Sequence, residues 1–262
     1  MKASIWLWVL LFWSSASQAA DAGSGQELRG TLYRLGSHRQ QRLYTWSMQV
    51  CADVWTSHYY RLDGRRAVED RTRFSGNRLA EYSYVRHTIG ESSSVRVKGE
   101  RLDFTYQRGG NRQVETRTTV DVFLTGPSVF QFIQQHLPEL LADKEFEFKY
   151  GVLDRLDYYT FALRAERGAG SEPRIRVRAT SPFVRMAIDP IYVTLSNEGK
   201  FRSITGRTIV MEQSGKQLLP IDAEMVVEFE APGHCRSQAT SSAAAPSSAV
   251  PSSAAAAPKQ DD

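Results

Sequence analysis

The chain has little of what covalent and metal chemistry requires. It holds two cysteines, Cys51 and Cys235, and neither has the neighbours of a redox motif. Its five histidines, His38, His58, His87, His136 and His234, stand apart in sequence with no pair at metal-ligand spacing. No glycine loop of the phosphate-cradling kind occurs; Gly109-Gly110-Asn111 runs into a strand-like segment and reads as a hairpin turn. Gly126-Pro127-Ser128-Val129 lacks the second glycine of a hydrolase elbow. Asp154 and Asp157 flank Arg155 at a turn, which accounts for them through turn formation and local pairing, without paired-acid catalysis. No basic run interleaved with aromatics marks a nucleic-acid surface. The sequence therefore predicts no catalytic residue, no metal and no cofactor, and an enzyme is not the favoured class.

Long apolar runs are also missing. The longest, Ile5 to Trp13, is too short to span a bilayer comfortably. It follows Lys2 and precedes Ser17 and Ala19, spaced as a cleavage site prefers, so residues 1–20 read as a cleaved signal peptide. With no cysteine near the cleavage point to accept lipid, the sequence predicts export, most simply to a periplasm, and no stable membrane anchor. At the other end, residues 237–262 are Ser, Ala and Pro closing on Lys259-Gln260-Asp261-Asp262. That composition offers no large apolar side chain to offset ordering entropy, and predicts a disordered tail. Residues 25–236 remain for a single β-rich domain. In an oxidising compartment Cys51 and Cys235 favour a bridge, which would tie the second strand to the end of the last.

What is present is mostly strand pattern. Before residue 126, runs of alternating character are separated by Asp63-Gly64, Gly76-Asn77 and Gly109-Gly110, which is turn chemistry for an antiparallel meander. After residue 158 the alternation sharpens. Ile175, Val177 and Ala179 alternate with Arg174, Arg176 and Arg178, and Ala223, Met225, Val227 and Phe229 alternate mainly with acids. Of the 33 basic residues 26 are arginine, against 29 acids and a net charge of +4. Spread along strands in this way, the arginines read as the solvated face of a sheet. Which face of Leu79 to Arg86 lies inside is left open by the pattern.

Helical spacing replaces strand spacing in one place. Val129, Phe130, Ile133, Leu137, Leu140 and Leu141 make one apolar stripe, with Ser128 expected as N-cap and Pro138 expected to bend or divide the helix. The segment from Ser181 to Ile191, with prolines at 182 and 190, reads as an edge or an apolar loop. The fold class is thus mainly β: a curved antiparallel sheet or incomplete β-barrel covered by a central kinked helix. Aromatic weight suggests a concave face able to hold an apolar ligand. The residues expected to line it are Trp46, Trp55, Tyr59, Tyr82, Phe104, Phe130, Ile133, Leu137, Tyr159 and Phe161.

Four segments carry a resemblance: Tyr59-Tyr60-Arg61-Leu62-Asp63-Gly64; the helix from Phe130 to Leu141 followed by Phe146-Glu147-Phe148; Leu153-Asp154-Arg155-Leu156-Asp157-Tyr158-Tyr159; and Asp189-Pro190-Ile191. With them the chain from Leu43 to Phe229 resembles a family of uncharacterised proteobacterial secreted proteins, with which no activity comes. The layout is also similar to the bacterial lipoprotein-carrier (Lol-type) fold, which implies an open curved sheet, covered by helices, that receives lipid. A thinner helical cover and the Ser/Ala/Pro tail depart from that layout. The functional expectation is a periplasmic, non-enzymatic protein binding a lipid-like ligand. The alternatives are an envelope interaction or assembly factor with a filled core, and a hydrolase whose residues meet only in the fold.

Overall fold

The computed structural model describes residues 24–167, 172–215 and 217–235. The expected signal peptide and the expected tail at 237–262 lie outside the described residues. The first half is the meander that the turn signals predict: β1 (Ser24–Arg34), β2 (Arg42–Val50), β3 (Val54–Arg61), β4 (Arg66–Ser75), β5 (Arg78–Arg86), β6 (Glu91–Lys98), β7 (Arg101–Arg108) and β8 (Asn111–Thr118). A short strand β9 (Phe123–Leu124) leads into α1 (Ser128–Gln135) and α2 (Leu137–Leu141). There follow β10 (Phe146–Val152), a 3₁₀ turn at Leu153–Arg155, β11 (Asp157–Arg167), β12 (Pro173–Ala179) and α3 (Pro182–Ala187). The chain ends in β13 (Ile191–Leu195), β14 (Phe201–Ser214) and β15 (Gln217–His234).

All fifteen described strands form one sheet, in the order β8-β7-β6-β5-β4-β3-β2-β1-β15-β14-β13-β12-β11-β10-β9. Every pairing is antiparallel except β9 with β10. The last strand returns to the first, so the sheet grows outward in both directions from the β1–β15 pair. Its two edges, β8 and β9, are consecutive in sequence, yet no backbone ladder joins them. Side chains close the seam: the Tyr158 hydroxyl donates to Thr118 O at 2.8 Å, Arg117 pairs with Asp157 at 3.5 Å, and Ser93 Oγ donates to Leu153 O at 3.2 Å. The result is a curved, unclosed antiparallel sheet. Asp157 thus finds its partner in Arg117 across the seam, and the local pairing with Arg155 expected from sequence is not made.

The bridge between Cys51 and Cys235 is formed, with Cα atoms 5.8 Å apart. It links β2 to the end of β15 across the intervening β1, and Gly25 of β1 makes room for it. A Cβ at Gly25 would stand 2.3 Å from Cys235 Sγ. Because the bridge closes a sequence separation of 184, its loss relaxes the unfolded chain most. The Cys51→Ser/Cys235→Ser protein is expected to lose about 2–4 kcal/mol, read as a lower urea midpoint with an altered m-value.

Two strand irregularities decide which side chains face inward. A bulge between Arg29 and Gly30 sets Gly30 against Val227 and Arg29 against Phe229. The alternation expected for β15 is therefore broken at its end: Ala223 and Met225 are buried, but Phe229 is exposed, with the Arg29 guanidinium over its ring at 5.5 Å. A second bulge between Arg73 and Phe74 settles the face of β5 that the sequence leaves open. Tyr82, Tyr84 and Arg86 turn inward, and Val85 outward.

The helical region divides as Pro138 requires. The helix ends at Gln135 and restarts at Leu137 with the proline in its first turn, where a missing amide hydrogen costs nothing. Ser128 is not the N-cap. Pro127 occupies that position with no side-chain hydrogen bond, while Ser128 is buried and its Oγ donates to Thr125 O at 2.8 Å and accepts from Thr125 N at 2.9 Å. The hydroxyl thus fastens the β9–α1 corner. Gly126 before it has φ +52°, and a Cβ there would lie 2.4 Å from the Tyr82 ring. The segment after β12, expected as edge or loop, forms the single-turn helix α3, because Pro182 suits a first helical position.

Candidate functional site

The antiparallel register assembles the inner face as rows running across the strands. One row is Met48, Ser57, Asp70, Tyr84, Ser93 and Tyr106; the next is Trp46, Tyr59, Val68, Arg86 and Glu91. A third is Trp55, Thr72, Tyr82, Val95 and Phe104. The inner face of β3–β7 is thus aromatic and laced with buried polar groups. By contrast, the inner face of β10–β14 is apolar throughout its centre, with Phe148, Phe161, Leu163, Ile175, Val177, Val193 and Leu195 in one cluster. The two halves share one sheet and differ in chemistry.

Helix α1 lies on the apolar half. Ile133 is fully buried there with Val129, and Leu140 of α2 joins them. Phe130 reaches between the two halves, packing on both clusters and edge-on to Phe201 with centroids 5.3 Å apart. Phe132, His136 and Phe146 stack at the far end of the helix.

In the polar half Asp70 is buried beside Ser57, whose hydroxyl donates to it, yet its Oδ1 has no partner among the described residues. Burial raises its pKa to about 7, against the lowering effect of the Ser57 hydrogen bond. Thr72 Oγ1, two residues further along β4 and in the third row, is likewise buried without a partner among the described residues. Burial also raises Tyr59 and Tyr82 well above the ordinary tyrosine range, and raises Tyr150. Trp46 lies beside the Tyr59 hydroxyl. Nearer the seam, Arg86 is held by Glu91, and its Nε donates to Ile209 O of β14 at 2.9 Å. The hydroxyls of Tyr84 and Tyr106 each donate to Glu91 at 3.2 Å. This network ties β5, β6 and β7 to the opposite wall.

The residues expected to line a ligand fall into two groups. Trp46, Trp55, Tyr59, Tyr82 and Phe104 stand on the polar aromatic half. Phe130, Ile133, Leu137 and Phe161 stand with the apolar half, and Phe130 bridges to the first. Tyr159, next to Phe161 on the same face, is 36% exposed at the rim. Asp70, Arg86 and Glu91 were not singled out from sequence, because acids and arginines alternate on both faces of β4 and β5. Only the register shows which of them point inward. Two open hollows lie on the outside: one of about 490 Å³ over the outer face of β12–β15, lined by residues that include Arg39, Arg174, Arg202 and Glu224, and one of about 230 Å³ outside β4–β6.

His58 faces outward beside Glu69 at 3.8 Å, but that carboxylate is engaged by Arg66. Among the described residues no group of three or more His, Cys, Asp or Glu is arranged to hold a metal ion.

The class that these features define is a β-barrel-like protein with an open seam and a helix lodged inside it. No protein-family model matches the chain, and no match is found among curated proteins. Among solved structures it is similar to a β-barrel-like protein of a domain of unknown function, DUF1849, from Brucella abortus. That likeness covers 81% of this chain and 98% of the other, at 6% identity and a TM-score of 0.43. A porin-like protein from Bacteroides uniformis is similar at 11% identity and a TM-score of 0.21, over 77% of this chain and 96% of the other. Neither likeness assigns the chain to a family, and no activity is carried over from either.

Proposed function

We propose that the protein is a non-enzymatic binding protein for an apolar or amphipathic, lipid-like ligand, which takes the place of α1 against the inner face of β10–β14. One observation carries this: the apolar trough is roofed by a helix of only eight residues, with no side-chain hydrogen bond at its N-cap, no acid in its first turn and no base in its last. A helix so short is marginal by itself and owes its place to packing. A ligand of comparable apolar area competes for the same surface, and the break at His136 gives the helix a place to move.

The disulfide supports residence in an oxidising compartment, and the periplasm is the one we propose. If α1 and the ligand compete, weakening the helix strengthens binding. Ile133→Ala removes the best-buried anchor of α1 and is expected to bind a fluorescent fatty acid about tenfold more tightly than the unaltered protein. Fluorescence titration reads this, with native mass spectrometry and solvent extraction of the purified protein identifying any bound lipid. Absence of uptake by both proteins ends the reading. It leaves the alternative of an interaction or assembly factor with a filled core, which the complete burial of Ile133 favours.

A further inference from the structure

The turns of a meander emerge alternately at two rims, and here the rims differ. One rim carries the β1–β2, β3–β4 and β7–β8 turns, the 3₁₀ turn and α3. On α3, Phe183 is 84% and Met186 is 86% exposed, and their spacing of three residues puts them on one side of the helix. These are the most exposed large apolar side chains among the described residues. Leu35, 48% exposed, belongs to the same rim: its amide donates to Asp222 O, Asp222 pairs with Arg207, and Arg207 donates to Ala187 O at the end of α3. That chain of bonds joins α3 to the sheet, and the apolar side of α3 is presented to the outside and not tucked under it.

Charge separates the rims as well. On the α3 rim, Arg42, Arg108, Arg112, Arg155 and Arg185 are exposed and form no ion pair among the described residues, against the two similarly unpaired acids Asp154 and Asp189. The opposite rim has the reverse balance, with Asp53, Glu100, Asp143, Glu145 and Glu198 exposed and unpaired against Arg78 and Lys144. Two large apolar side chains projecting from a surface with surplus arginine match a bilayer interface: the apolar tips enter the acyl boundary and the guanidinium groups meet anionic headgroups.

From this combination we infer that the α3 rim docks on an anionic membrane surface, with Phe183 and Met186 as the inserted residues. The docking is separate from ligand binding inside the sheet and stands or falls without it. The experiment is co-sedimentation of the whole protein with vesicles of phosphatidylcholine containing phosphatidylglycerol, and with phosphatidylcholine alone. Binding is expected to the anionic vesicles and to weaken as salt rises. The Phe183→Ser/Met186→Ser protein is expected to lose roughly tenfold or more in vesicle affinity. Leu141→Ser, which removes an exposed apolar side chain at the opposite rim, is expected to leave it unchanged. No binding to anionic vesicles, or equal binding by the double variant, overturns the inference. Self-association of the free protein that the double variant abolishes, seen by sedimentation velocity, also overturns it by assigning the surface to a second copy. Fatty-acid uptake by the double variant in vesicle-free solution stays at the level of the unaltered protein if the two properties are independent as stated.

Discussion

At pH 8 the Asp70→Asn protein is expected to be more stable than the unaltered protein by roughly 4 kcal/mol, with the difference vanishing toward pH 4. The reason is burial. Asp70 is 2% exposed and its pKa is raised to about 7, whereas in the unfolded chain an aspartate titrates near 3.9. Below about pH 4 both states hold the proton and the carboxyl costs little. Between about 4 and 7 the unfolded chain releases its proton while the folded protein keeps it, so stability falls as pH rises through that window. Above 7 the folded protein must hold a charge with only Ser57 as donor and Oδ1 unpartnered. Asparagine keeps an acceptor for Ser57 and never ionises. Urea midpoints of both proteins at several pH values between 4 and 8 test this, and a difference that does not change with pH refutes it.

Removing the Glu91 carboxylate is expected to cost about 3–5 kcal/mol, because Glu91→Ala leaves a buried guanidinium without its counter-charge. The side chains of Arg86 and Glu91 are 9% and 3% exposed, so water does not screen the pair as it screens the outer-face arginines. The loss also strands the hydroxyls of Tyr84 and Tyr106, which both donate to Glu91. Replacing the two together, as Arg86→Met/Glu91→Leu, is expected to restore much of the stability, since no charge is then left buried. Denaturation of the single and double variants gives the coupling directly. A single-variant cost of no more than about 1 kcal/mol, typical of surface pairs, would show that the network is solvated.

The Arg86 contact with Ile209 O gives this network a second consequence. It crosses from β5 to β14 through the interior, where the sheet has no backbone ladder to hold its curvature. The seam is likewise closed by side chains: the Tyr158 and Ser93 hydroxyls, one ion pair, and the packing of Phe123, Leu153 and Leu156 on Val95, Leu102 and Phe104. A sheet closed by side chains and not by backbone is easier to open, and the lodged helix α1 lies just inside the end where the seam begins. Ligand exchange as proposed uses that weakness.

Much of this architecture is legible from local chemistry. The turn pairs Asp63-Gly64, Gly76-Asn77 and Gly109-Gly110 each join two strands whose limits agree with the sequence pattern to within a few residues, because positive φ at glycine is a local requirement. Pro138 divides the helix for an equally local reason. The alternating pattern does not mark the start of β6 (Glu91–Lys98), since Glu91, Ser92 and Ser93 carry no apolar signal. Glu91 and Ser93 are inward nonetheless, satisfied by Arg86 and by Thr105 O and Leu153 O.

By itself the sequence determined the class of fold, the helix interrupting two strand sets, the one pairing open to two cysteines if they bridge, and the aromatic weight of the interior. Each depends on residue type, spacing or count, which a chain displays before it folds. Only the tertiary structure decided the rest. The return of β15 to β1, the bulges at Arg29 and Arg73, and the lateral register placed Asp70, Arg86 and Glu91 inside, set an apolar half opposite a polar one, and gathered Phe183 and Met186 with unpaired arginines on one rim. Those outcomes rest on contacts between residues far apart in sequence, and a one-residue change of register in β4, β5 or β6 would turn its inward side chains outward.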